Sequence, residues 1–155
     1  MTGQSIHANC VIVGTCGVLI RGAAGSGKSS LSEALIETAR VRGNFAALVA
    51  DDRVLLSADG NRLLARAPDT IRGRIEIRGF ALEDTEHAPV ARVHLAVDLR
   101  PLDTLDRLPE TAIARDLLEG VSVPVITSPS NRPAISLRQI RWALRKLFPG
   151  GPDYI

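Results

Sequence analysis

Apolar residues fall in short blocks along most of the chain, each bounded by glycine, proline or charge, and the blocks carry two different periods. Residues 6–13 (IHANCVIV) and 18–21 (VLIR) predict two buried strands joined by a turn at 14–17. The next block changes period. In LSEALIETAR, Leu31, Ala34, Leu35, Thr38 and Ala39 share one helical face, which predicts a helix running to about Arg40 with Gly43 as its stop. Ala46–Ala50 reads as another buried strand, and residues 54–57 and 62–65 flank Ala58-Asp59-Gly60-Asn61, a hairpin signal. Further strands are expected at 74–78 and 91–99. Residues 101–124 are rich in turn formers, with a short helix expected at 110–119. Ser136 then reads as the cap of an amphipathic helix whose stripe is Leu137, Ile140, Ala143, Leu144 and Leu147, suited to core packing or to an oligomer interface. Several strands in hairpins beside few helices imply an α/β domain with a mixed sheet.

Composition narrows the class. At 155 residues the chain is expected to form one domain with a substantial core, and 45% hydrophobic with 23% charged residues is ordinary globular chemistry. A net charge of +2 and only five aromatics (Phe45, Phe80, Trp142, Phe148, Tyr154) argue against nucleic-acid binding. Cys10 and Cys16 stand six apart with no neighbouring ligand cluster, as expected of small buried thiols in a reducing compartment. The opening MTGQSIHANC has neither the basic head nor the long apolar stretch of a signal peptide. No run approaches the roughly 20 apolar residues of a membrane span, so the expected location is the cytoplasm.

The chemistry begins at GAAGSGKSS, residues 22–30, where Gly22, Gly27, Lys28 and Ser29 fit the spacing G-x-x-x-x-G-K-[ST]. A predicted strand precedes it and a predicted helix follows, the context that a phosphate-binding loop needs. Glycines let bare backbone approach phosphate and turn successive N–H groups inward, and the helix directs its positive end at the same anion. The nucleotide-binding stretch is therefore Gly22, Ala23, Ala24, Gly25, Ser26, Gly27, Lys28 and Ser29. Lys28 supplies a compact charge for the outer phosphates of ATP, and Ser29 a hydroxyl for Mg²⁺. Only Lys28 and Lys146 are lysines among 19 basic residues, so lysine is used where a slim ammonium is wanted.

Such a loop also needs a carboxylate for its metal or its nucleophile. ALVADD ends in Asp51 and Asp52, and VHLAVDL carries Asp98. Adjacent carboxylates repel unless a cation or a shared proton offsets them. Beside Mg²⁺·ATP one can hold the metal or its water while the other takes a proton from an attacking hydroxyl. The Asp51/Asp52 pair is the preferred choice; Asp98 before Pro101 reads better as a cap or turn residue.

GAAGSGKSS, ALVADDRV, IEIRG and DRL together resemble the catalytic domain of HPr kinase/phosphorylase, the bifunctional serine kinase of the bacterial phosphotransferase system. The resemblance runs from about His7 to the region of Arg132 and implies a P-loop kinase fold with a mixed sheet flanked by helices, of the HPr kinase and phosphoenolpyruvate carboxykinase type. It implies that residues 1–155 form a single kinase core, a short form lacking the family's N-terminal domain and most of its C-terminal helical extension. Residue by residue, His7, 21 positions before Lys28, matches the active-site histidine. Asp51 or Asp52 matches the base, Glu76 the second metal ligand beside Ser29, and Arg107 the arginine that steadies the transferring phosphoryl group. An HPr-like phosphocarrier is the implied protein partner and a homo-oligomer, by family a hexamer, the implied assembly.

Two departures qualify that match. Phe80-Ala81-Leu82-Glu83-Asp84 replaces a glycine-rich stretch after IEIRG, and the loop associated with dephosphorylation reads ITSPSNRPA, with Arg132 its only charge. Forward kinase action is thus better supported than phosphorylase action. The competing readings are a small-molecule P-loop kinase and an ATP-binding sensor without catalysis.

Overall fold

The computed structural model describes residues 3–155. A mixed sheet carries two helices on one face. In chain order the strands are β1 (Gln4–Ile6), β2 (Ala8–Val13) and β3 (Cys16–Arg21), followed by helix α1 (Lys28–Val41) and strand β4 (Ala46–Ala50). Next come β5 (Val54–Asp59), β6 (Arg62–Arg66), the small hairpin β7 (Arg74–Ile77) and β8 (Ala81–Asp84), and the long β9 (Ala91–Arg100). Strands β10 (Ala114–Leu118) and β11 (Val121–Pro129) lead into helix α2 (Pro133–Leu147). The main sheet runs β1-β5-β6-β9-β3-β2-β4, and β11 with its partner β10 branches from β9. β9 is the spine: its start pairs antiparallel with β6, its end pairs parallel with β11, and β3 lies parallel along its other side.

Strand alternation splits the core into two clusters. Val18 and Ile20 of β3, with Leu95 and Val97 of β9, join Leu31, Leu35 and Ile140 from the helices. Leu19 and Ala96 point the other way, toward Leu56, Leu63 and Val123 inside the curl of the sheet. The alternation of β9 breaks where the register slips between Gly17 and Val18, and there the imidazole of His94 accepts the Gly17 N–H at 3.2 Å. The expected strand over 6–13 is likewise broken at His7. β1 pairs with β5, whereas β2 pairs with β3 and β4, so His7 occupies the corner where the chain changes partners.

Two local expectations are corrected. Residues 110–119 do not form a helix: β10 and β11 make a hairpin through Glu119 and Gly120, at φ 50° and 76°. Positive φ at both turn residues matches the twist of the flanking strands, and Val121, Val123 and Val125 alternate inward from it. Nor does Ser136 cap α2. The helix starts earlier, with Arg132 at the cap position and Pro133 behind it, a residue whose fixed φ and missing N–H suit a first turn. Ser136 is buried one turn in, its hydroxyl 2.6 Å from that of Ser128. The apolar stripe itself packs as core, with Ile140, Ala143 and Leu144 buried.

Candidate active site

The loop 22–27 joins the end of β3 to the first turn of α1. Gly27 sits at φ 93°, and a Cβ there would meet the Asn131 side-chain oxygen at 2.8 Å, so only glycine fits. No side chain caps α1 and its first turn contains no acidic residue, which leaves its N–H groups available to an anion. Lys28 folds back over the loop, its ammonium donating to the carbonyls of Gly22 at 3.0 Å and Ala23 at 3.2 Å. Burial pulls its pKa below the ordinary lysine value, against the opposing pull of Asp52 and Asp51. Its charge is therefore held at some cost, and a phosphate would relieve it.

Asp51 and Asp52 follow β4 and point to different neighbours. Asp51 is 6% exposed, whereas the Asp52 side chain is 66% exposed. Asp51 accepts hydrogen bonds from the Ser29 hydroxyl at 2.6 Å and the Asn9 amide at 2.6 Å through one oxygen, and from the Glu76 N–H at 3.0 Å through the other. Asp52 accepts instead from His7 Nε2 at 2.6 Å, which fixes the imidazole proton on that nitrogen. Asp52 takes φ 67°, in the left-handed region that aspartate tolerates better than most non-glycine residues. The turn is closed by a 2.8 Å hydrogen bond from the Arg53 N–H to the Asp51 carbonyl.

These groups share one cleft of about 410 Å³, within the size range of small-molecule sites. Of the residues expected from the sequence, His7, Lys28, Ser29, Asp51, Asp52 and Glu76 line it, with Ala24, Gly25 and Gly27 of the loop. Gly22 and Ala23 enter through their carbonyls, and Ser26 is buried beneath the loop. Arg107 is different: it is exposed and does not line the cleft. Asp98 is not part of the cleft either. It holds Arg21 through two hydrogen bonds, at 2.6 and 3.1 Å, with Asp116 on the same guanidinium. It is a strand residue in register with Arg21 and not a turn cap.

Six lining residues were not among the site residues expected from the sequence: Asn9, Ser30, Glu33, Ile77, Arg78 and Asn131. For Asn9 a signal existed, since it stands two positions after His7 and therefore on the same face of extended chain. Asn131 belongs to ITSPSNRPA, which is not a free loop. Ile126 to Pro129 lie in β11, Pro133 and Ala134 begin α2, and Asn131 latches the turn between them onto the P-loop. Its backbone N–H reaches the Ser26 carbonyl and its amide the Gly25 carbonyl, both at 3.0 Å.

The oxygen donors of Ser29, Asp51 and Glu76 suit a hard divalent cation such as Mg²⁺. No helix among the described residues is long and apolar enough to cross a membrane.

Comparison with known proteins adds to this geometry. A family model described as the HPr Serine kinase C-terminal domain matches residues 1–132. Over 137 residues the chain is 34% identical to the HPr kinase/phosphorylase of Limosilactobacillus reuteri (strain DSM 20016), covering 81% of this chain and 41% of that protein. It is 27% identical over 139 residues to the HPr kinase/phosphorylase of Malacoplasma penetrans (strain HF-2), covering 81% of this chain and 43% of that one. The chain thus spans less than half the length of these relatives. Among solved structures, the HPr(Ser) kinase/phosphatase from Coxiella burnetii matches with a TM-score of 0.78 at 30% identity, covering 93% of this chain and 98% of that one.

Proposed function

This chain belongs to the HPr serine kinase C-terminal domain family and has its P-loop kinase fold, and on that premise we propose that it transfers the γ-phosphoryl group of ATP to a serine of an HPr-like phosphocarrier. The observation that carries this reading is the division of labour between adjacent aspartates at the mouth of the P-loop: Asp51 bound to Ser29, and Asp52 bound to His7. Their relatives' names supply the acceptor.

Phosphoryl transfer asks a protein mainly for positioning and charge stabilisation. The open N–H groups of α1 and the loop cradle the phosphates. Lys28 exchanges its two loop carbonyls for phosphate oxygens, better acceptors for an ammonium. Ser29, Asp51 and Glu76 would hold Mg²⁺, which supplies charge neutralisation on the nucleotide when bound. Asp52, exposed and oriented by His7, takes the proton from the attacking serine hydroxyl. The role of Arg107 on the transferring group comes from the family resemblance; it stands outside the nucleotide cleft, so its segment would have to move toward the cleft when the acceptor docks. Assembly as a homo-oligomer, hexameric by family resemblance, and a cytoplasmic location belong to the same reading.

ATP consumption measured with and without the carrier tests it. Consumption that depends on the carrier supports the protein kinase. Equal turnover without any protein acceptor contradicts it in favour of a nucleotidase or small-molecule kinase, and ATP binding without turnover contradicts it in favour of a sensor.

A further inference from the structure

Asn9 is a fully buried amide in β2, between the apolar Ala8 and Cys10. Its nitrogen donates to Asp51 at 2.6 Å and to the Ser32 hydroxyl at 3.1 Å, and lies 3.4 Å from the Ser29 hydroxyl. Its oxygen accepts the backbone N–H of Asp52 at 2.9 Å. The orientation of the amide follows from chemistry. A carboxylate only accepts and a peptide N–H only donates, so the flipped amide would set like against like on both sides. Ser32 agrees with that direction, because its own hydroxyl is committed to the Lys28 carbonyl at 2.8 Å and can only accept from Asn9.

The consequence falls on the two aspartates. Asp52 is held at its positive φ from both sides by β2: the Ala8 N–H donates to its carbonyl at 3.2 Å, and Asn9 accepts from its N–H. That turn is what sends Asp51 inward to Ser29 and Asp52 outward to His7. An apolar side chain at position 9 would leave the Asp52 N–H without this acceptor and remove one of the two donors on Asp51 Oδ1. We propose that Asn9 is a positioning residue that sorts the adjacent carboxylates, holding Asp51 on the P-loop serine and Asp52 on His7. The proposal rests on the function given above only for the meaning of turnover; the sorting itself is geometric.

The test uses the full chain and its Asn9→Ala and Asn9→Ser variants, with three measurements. ADP binding in EDTA reports the P-loop alone, the ¹⁵N resonance of His7 Nε2 in metal-free protein at fixed pH reports the Asp52 contact, and steady-state kinetics with the carrier report kcat and KM separately. Asn9→Ala is expected to keep ADP binding and the KM for ATP, to lower kcat about 100-fold, as a catalytic group misplaced by about 1 Å does, and to move the His7 resonance toward its position in Asp52→Asn. Asn9→Ser, with one hydroxyl to serve two neighbours, should fall between, and it carries the same comparison if the alanine variant does not fold. An unmoved His7 resonance overturns the proposal, as does a joint loss of ADP binding and turnover. If the wild-type chain transfers nothing to the carrier, the functional reading fails by itself, while the resonance and the ADP binding still decide the role of Asn9.

Discussion

The hydroxyl of Ser29 donates to Oδ1 of Asp51 across 2.6 Å, tying the first turn of α1 to the end of β4. On the proposed function, this contact marks the side of the cleft that would take Mg²⁺. Asp51→Asn and Asp52→Asn are therefore expected to behave differently. Asp51→Asn should weaken Mg²⁺-dependent ATP binding. Asp52→Asn should keep that binding and lose roughly 10²–10⁴-fold in kcat, the range for a general base. Titrating Mg²⁺ against nucleotide binding, beside steady-state rates, separates the two; indistinguishable variants would remove the division of labour.

The arginine assignment is open to an equally direct comparison. Arg107 is exposed outside the cleft, whereas Arg78 lines it. Arg107→Ala should leave ATP affinity unchanged and reduce transfer to the carrier, by about 10³-fold if it acts as a transition-state arginine. Full activity in that variant, with loss in Arg78→Ala, would move the role to Arg78.

A third expectation concerns alkaline stability. Burial pushes the Cys10 thiol from 9.0 up to about 12. Above pH 9 the unfolded chain gives up this proton while the folded chain keeps it, so the unfolded state binds fewer protons and stability falls as pH rises. The loss from this one group is about 1.4 kcal/mol per pH unit between the two values. Denaturant midpoints at pH 8 and pH 10.5 should diverge more for the wild type than for Cys10→Ala, which lacks the group. An equal pH response in both would contradict the burial argument.

What the sequence revealed and what it concealed follow from the range of the interactions. The P-loop was legible because its glycines, Lys28 and the flanking strand and helix are neighbours in the chain. So were the Asp51/Asp52 pair at the end of an apolar run and the hairpin through Gly60. The role of Asn9 was not, since its partners lie in α1 and after β4 and only folding brings them together. Residues 110–119 read as a helix because Glu, Ala, Arg and Leu there are good helix formers and the strand they make, β10, has almost no buried face to alternate, while the turn at Glu119 and Gly120 carries glutamate where asparagine or aspartate would have announced it. Asp98 was placed at a turn because its partner, Arg21, becomes its neighbour only through the parallel register of β3 and β9.

Direction of transfer gives a fourth prediction. Reversal requires phosphate to enter beside phosphoserine, and the segment proposed to assist it carries one charge, Arg132. That segment is also latched onto the P-loop by Asn131. Pyrophosphate release from phosphorylated carrier at millimolar phosphate should be much slower than the ATP-driven reaction under matched conditions. Comparable rates would show that another cleft residue, such as Arg78, accommodates the second dianion.

The central claim is tested most directly by incubating the chain with γ-labelled ATP, Mg²⁺ and an HPr-like carrier, then mapping the label. The account predicts phosphoserine on the carrier, absent without Mg²⁺ and strongly reduced in Asp52→Asn. Tight ATP binding with no labelled protein, or label that appears undiminished in Asp52→Asn, would contradict it.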